Sequence, residues 1–130
     1  MNLMTAAPLV LVVEDEALIR MMLSEVLDDA GFASVVVADG HRAISELEAD
    51  ATRFRAVVTD IRLGSSPSGW TIARRARELV PDMPVLYVSG DSAHEWAAQG
   101  VLGSVMVAKP YVVAQVVTAL SMLLLQADRL

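Results

Sequence analysis

Five residues that can do acid–base, metal or nucleophilic chemistry stand where apolar runs stop. Glu14 and Asp15 follow LVLVV, Asp60 ends RAVVTD, Ser89 follows VLYV and Lys109 follows VMVA. Carboxylates crowded together repel one another and are pushed toward protonation unless a cation lies among them. A hard divalent cation meets that need: Mg²⁺, or Mn²⁺ in its place, is held by one or two carboxylates together with waters and phosphate oxygens. Asp15 and Asp60 are the expected direct ligands, with Glu14 acting directly or through water. With its charge screened, Asp60 is a candidate nucleophile toward a phosphoryl group, and Lys109 a candidate to stabilise the equatorial oxygens during in-line transfer. The product would be an aspartyl phosphate. Ser89 offers a hydroxyl to a phosphoryl oxygen, and Gly90 beside it leaves the approach open.

These residues meet only if the fold brings the strand ends together. Leu9–Val13 reads as a buried strand, and EALIRMMLSEVLDDAG then places Ile19, Met22, Leu23 and Val26 on a helical face closed by Gly31. The alternation recurs. Ala33–Ala38 precedes the helix GHRAISELEA, Arg55–Asp60 precedes GWTIARRAREL, Pro84–Gly90 precedes SAHEWAAQG, and Ser104–Ala108 precedes VVAQVVTALSMLLLQA. Apolar strands separated by helices imply a parallel sheet covered on both faces. The predicted fold is therefore α/β, a doubly wound five-stranded parallel sheet of (βα)₅ type. In such sheets the ligand site lies beyond the carboxyl ends of the strands, near the switch point in strand order, where the five residues would converge.

Composition narrows the function. The 130 residues suit one domain, expected over residues 9–127 after a short mobile tail, residues 1–8, with no output domain. No apolar run approaches the ~20 residues a membrane-spanning helix needs, and the first residues lack the features of a secretory signal, so membrane insertion is not expected and the cytoplasm is the expected compartment. Cys 0 excludes disulfides, thiolate nucleophiles and cysteine-ligated zinc. A formal net charge of -6 argues against direct binding of nucleic acid by phosphate neutralisation.

Taken together, Glu14-Asp15 after the first strand, Asp60 after the third, Ser89 after the fourth and Lys109-Pro110 after the fifth resemble the receiver domain of two-component response regulators, from about Leu9 to Leu125. That resemblance implies a flavodoxin-like receiver fold, phosphotransfer to Asp60 from a histidine kinase or a histidine phosphotransfer protein, and Mg²⁺ dependence. It adds the Arg62 backbone carbonyl as a metal ligand and a cis peptide between Lys109 and Pro110. It further implies a switch in which Ser89 moves toward the phosphoryl group and reshapes the fourth helix and fifth strand, signalling to a downstream protein. A phosphoacceptor of this kind takes part in its own phosphorylation and dephosphorylation without being an enzyme in the usual sense.

The chain departs from the family pattern in two places. Gly64 stands where members carry a Pro four residues after the phosphorylated Asp, and the matching Gly is Gly69, nine residues on, so the loop is one residue longer. Met106 replaces the switch aromatic three residues before the Lys; Tyr87 and Tyr111 do not occupy that position. LYVSGD and AKPY resemble an alphaproteobacterial subgroup of receivers that often stand alone and lack this aromatic.

Arg62 and Asp91 should flank the phosphoryl site with opposite charges and shield it from in-line water, slowing hydrolysis. Trp70 and Trp96 read as core or half-exposed packing residues, and His41 and His94 as solvent-facing. The last helix is apolar around more of its circumference than one core face requires, through Val112, Val113, Val116, Val117, Leu120, Met122, Leu123, Leu124 and Leu125. Deeper burial accounts for this, as does a homodimer or partner contact through the last helices. Two rival functions remain: a degenerate receiver acting as a phosphorylation-independent binding module, and a phosphohydrolase. The latter generally wants an acid two residues after its nucleophile, where this chain has Arg62.

Overall fold

The computed structural model of the chain describes residues 7–109 and 113–128. Five strands, β1 (Leu9–Val13), β2 (Ala33–Val37), β3 (Ala56–Asp60), β4 (Val85–Ser89) and β5 (Val105–Ala108), alternate with helices α1 (Ala17–Asp29), α2 (Gly40–Asp50), α3 (Gly69–Leu79), α4 (Trp96–Gln99) and α5 (Val113–Asp128). All strand pairs are parallel and the order is β2-β1-β3-β4-β5. The order reverses between β1 and β3, which places the switch point between Glu14-Asp15 and Asp60.

The two-residue period of a strand divides the core into two layers. Leu11, Val13, Val57, Val85 and Tyr87 face the layer packed by Ala43 and Leu47 of α2 and by Ile72, Ala73 and Ala76 of α3. Val10, Val12, Ala56, Val58, Leu86 and Val88 face the layer packed by Leu23 and Leu27 of α1 and by Val116, Leu120, Leu123 and Leu124 of α5. Side-chain caps fix two helix starts: Asp39 accepts the Arg42 N–H and Ser68 accepts the Thr71 N–H.

Several sequence expectations are revised. The strands are trimmed at their ends, with Arg55, Pro84, Gly90 and Ser104 just outside them. Met22 is exposed, because α1 rests on Leu23 and Leu27 with Ile19 and Val26 at the margins. SAHEWAAQG forms a single 3₁₀ turn, Ala93–Glu95, and the four-residue α4 rather than one long helix. The short helix ends where Gly100 packs on Trp96; a Cβ at Gly100 would stand 2.4 Å from the indole, whose Nε1–H donates to Ser104 Oγ at 2.9 Å. Leu123 and Leu124 of α5 are core residues, so burial absorbs most of that helix's apolar excess; Met122 and Leu125 remain exposed. Packing begins at Pro8, inside the expected tail, since its carbonyl accepts the Ala33 N–H at 2.9 Å. The rest of the tail through Ala6, together with Pro110 and its peptide bond to Lys109, Tyr111 and Val112, lies outside the described residues. Among the described residues, no helix is long and apolar enough to cross a membrane.

Candidate functional site

The ends of β1, β3, β4 and β5 each contribute a part of the site. Glu14 extends the sheet ladder by one step, its N–H donating to Val37 O at 3.1 Å. Its Oε2 accepts the Glu16 N–H at 3.0 Å, and Oε1 lies 3.7 Å from Lys109 Nζ. Asp15, next in the chain, is exposed. Asp60, the last residue of β3, is buried; Oδ1 accepts the Ile61 N–H at 2.7 Å and Oδ2 accepts from Lys109 Nζ at 2.9 Å. Lys109 is set by its own backbone, which donates to Ser89 O at 2.6 Å and continues the β4–β5 pairing.

Carboxylate oxygens of Glu14, Asp15 and Asp60 lie within 4.8 Å of one another, so the three acids and Lys109 converge as the sequence implies. Burial pushes the Glu14 carboxyl up to about 7, assisted by Asp15 and by the charge of Asp60 and opposed by the Glu16 N–H and Lys109. The cluster is thus short of positive charge. Two buried acids and one exposed one, all offering oxygen, match the donor set of a hard divalent cation such as Mg²⁺ or Mn²⁺, with Asp15 on the open side.

Ser89 is buried, and its Oγ accepts the Ser92 N–H at 2.8 Å. Gly90 lies against Lys109: a Cβ there would meet the lysine Cβ at 3.8 Å, an ordinary contact. The expected Arg62–Asp91 pair forms, with Nε 3.0 Å from Oδ1, and Arg62 Nε also donates to Ser92 Oγ at 3.1 Å. Sequence reasoning missed Ser92. Its amide returns to a hydroxyl three residues earlier, a local turn pattern characteristic of serine that was there to be read.

The lengthened loop after Asp60 has a defined shape. Gly64 adopts φ +68°, which a proline, locked near −65°, cannot reach. Gly69 brings α3 against β3: a Cβ there would stand 2.3 Å from Asp60 O, and its N–H donates to Ile61 O at 2.9 Å. Between them Ser66 Oγ accepts the Gly40 N–H at 2.9 Å and donates to Leu63 O at 2.7 Å, docking the loop on α2. The loop borders a cleft of about 380 Å³ lined in part by Arg62, Ser68, Trp70, Ser92 and Glu95.

Met106 pairs in register with Tyr87 and is half-buried against the same core layer. Tyr87 is fully buried, edge-on to Trp70 with ring centroids 4.7 Å apart. Its hydroxyl accepts the Val101 N–H at 3.1 Å. An aromatic ring therefore stands beside the switch position, supplied by the neighbouring strand and tied to the segment after α4. Trp96 is half-exposed, and His41 and His94 face solvent as expected.

The model of the response regulator receiver domain matches residues 10–121. A response regulator receiver protein from Sinorhizobium medicae WSM419 has a crystal structure with TM-score 0.86 and 44% identity to this chain, covering 91% of this chain and 94% of that one. The C4-dicarboxylate transport transcriptional regulatory protein DctD of Rhizobium meliloti (strain 1021) is 30% identical over 110 residues, 83% of this chain and 23% of that protein. A putative response regulator, NtrX-like, of Rickettsia bellii (strain RML369-C) is 34% identical over 93 residues, 71% of this chain and 19% of that protein. The chain thus spans about a quarter or less of the length of these curated relatives.

Proposed function

Because this chain belongs to the response regulator receiver domain family, we propose that it takes a phosphoryl group on Asp60 from a histidine kinase or a histidine phosphotransfer protein and passes the signal on by protein contact. The observation that carries this reading is the 2.9 Å contact between Lys109 Nζ and Asp60 Oδ2 beside Glu14 and Asp15. The Ile61 N–H and Lys109 hold the Asp60 carboxylate at the open end of the sheet. An Asp60 oxygen forms the new O–P bond as the P–N bond of the donor breaks, and the imidazole leaves with the bonding electron pair. Lys109 then shares its protons with the phosphoryl oxygens, where negative charge collects. Glu14, Asp15, Asp60 and the Arg62 carbonyl would hold Mg²⁺ or Mn²⁺, which supplies charge neutralisation at the phosphoryl group.

Ser89 is the sensor: its hydroxyl leaves the Ser92 N–H for a phosphoryl oxygen, which frees the loop from Gly90 to Ala93. A new dianion favours whichever loop state contacts it better, and that difference shifts the population. With Met106 on β5 and Tyr87 committed to Val101, the signal passes through the loop and the short α4 rather than through an aromatic rotation. Arg62, paired with Asp91, occupies the place where a phosphohydrolase would carry its acid, so the chain is read as a phosphoacceptor. A cytoplasmic location and a protein target belong to the same reading, and Met122 and Leu125 are the exposed residues through which the last helix would meet a second copy. Trp fluorescence tests the reading: acetyl phosphate with Mg²⁺ should change the emission of Trp70, which lines the cleft beside Arg62 and Ser92, and of Trp96 on the short α4, and the change should vanish in Asp60→Asn.

A further inference from the structure

Asp15 poses a positioning problem. It is exposed, so packing does not fix its direction, and the Glu16 N-cap that follows makes no side-chain cap hydrogen bond to begin α1. One amide of the turn is held locally, since Glu14 Oε2 accepts the Glu16 N–H at 3.0 Å; its two carbonyls are held from elsewhere. Nη1 of Arg20, one turn into α1, donates to Glu14 O and to Asp15 O, each at 3.0 Å. Those carbonyls belong to the two peptide planes that flank the Asp15 Cα. Fixing both planes fixes φ and ψ at Asp15, and with them the direction of its Cβ. The same two bonds fix the peptide that follows the Glu14 Cα.

We propose that Arg20 is a positioning residue for the metal-binding turn, its guanidinium clamping the Glu14 and Asp15 carbonyls so that both carboxylates are aimed at Asp60. This rests on the metal-site reading above. Residues that orient ligands without touching the metal typically change its affinity by about 10–100-fold when removed, and Arg20 is suited to the role because a guanidinium offers several donors in a fixed plane.

The sign of the effect separates positioning from simple charge. A cation near a divalent ion repels it, so removing Arg20 would tighten metal binding if only its charge mattered. Positioning predicts the reverse.

The test is a calorimetric titration of Mn²⁺ into the full chain, in the wild type, Asp15→Asn, Arg20→Ala and Arg20→Gln, with thermal melts in EDTA to establish that each variant is folded. The expected result is wild-type binding that Asp15→Asn abolishes and that Arg20→Ala weakens by about tenfold, with Arg20→Gln weakened in the same direction. Should Arg20→Ala fail to fold, Arg20→Gln decides by the same criterion. Binding by a folded Arg20 variant as tight as, or tighter than, wild type overturns the positioning role. Absence of wild-type binding, or binding unaffected by Asp15→Asn, instead overturns the metal-site reading on which it rests.

Discussion

Arg62 Nε lies 3.0 Å from Asp91 Oδ1 and bridges the loop after β3 to the loop after β4 across the mouth of the site. Both side chains are about two-thirds exposed, so the pair contributes only about 0 to 1 kcal/mol to stability. Its effect should be kinetic. Arg62→Ala and Asp91→Ala are each expected to speed loss of the phosphoryl group by a few-fold with unchanged melting, and the double variant to match the singles. Half-lives followed after removal of the donor check this; unchanged half-lives in both single variants would show that the pair does not shield the site.

The Glu14 carboxyl, raised by burial from its ordinary 4.5 to about 7, links metal binding and stability to pH. Between these values the folded chain holds a proton that the unfolded chain releases. The contribution to stability is therefore fully present below about 4.5 and is lost as pH rises through 7. A divalent cation competes with that proton, so its affinity should climb across the same window and level off above it. Urea unfolding of metal-free protein over a pH series checks the first part; Glu14→Gln should remove the part of the slope that Glu14 causes.

The loop after Asp60 makes a counter-intuitive prediction. Restoring the family's proline, Gly64→Pro, should destabilise the fold by more than about 1 kcal/mol, because φ +68° is closed to proline. Gly69→Ala should cost about 1–3 kcal/mol, since its Cβ would meet backbone rather than a yielding side chain. Denaturant melts measure both. A neutral Gly69→Ala would mean that the α3 start can retreat from Asp60.

On α5 two adjacent leucines should behave oppositely. Leu124 is buried and Leu125 exposed, so Leu124→Glu should cost roughly 3 kcal/mol or more, whereas Leu125→Glu should stay within about 0.5 kcal/mol of wild type. If the exposed pair Met122 and Leu125 joins two copies, sedimentation equilibrium will show Leu125→Glu as monomeric where the wild type is not. Identical sedimentation of the two proteins would remove the homodimer.

Much of the site was legible because parallel strands must deliver their last residues to one edge. Once Leu9–Val13 and Arg55–Asp60 read as buried strands, Glu14, Asp15 and Asp60 had to be neighbours, and GWTIARRAREL read as the helix that the structure shows as α3. The Ser68 cap and the close approach of Gly69 to Asp60 were not read from the sequence. Arg20 was not legible in this way. Its reach to two carbonyls depends on how α1 leaves the sheet, which no local pattern encodes. The short α4 was hidden for a related reason: SAHEWAAQG has ordinary helical composition, and only the packing of Trp96 on Gly100 and Ser104 ends it. Met22 and Leu124 show the limit of reading a helical face, since a residue at the stripe's edge is buried or exposed by the tilt of the helix.

The central claim is that Asp60 is the phosphoacceptor of a metal-dependent site, and intact-protein mass spectrometry after incubation with acetyl phosphate tests it most directly. A single phosphoryl adduct is expected in the wild type with Mg²⁺, lost with EDTA, in Asp60→Asn and in Asp15→Asn, and much reduced in Lys109→Ala. An adduct that persists in Asp60→Asn, or a wild type that stays unmodified both with this donor and with a phosphorylated histidine kinase, would contradict the account.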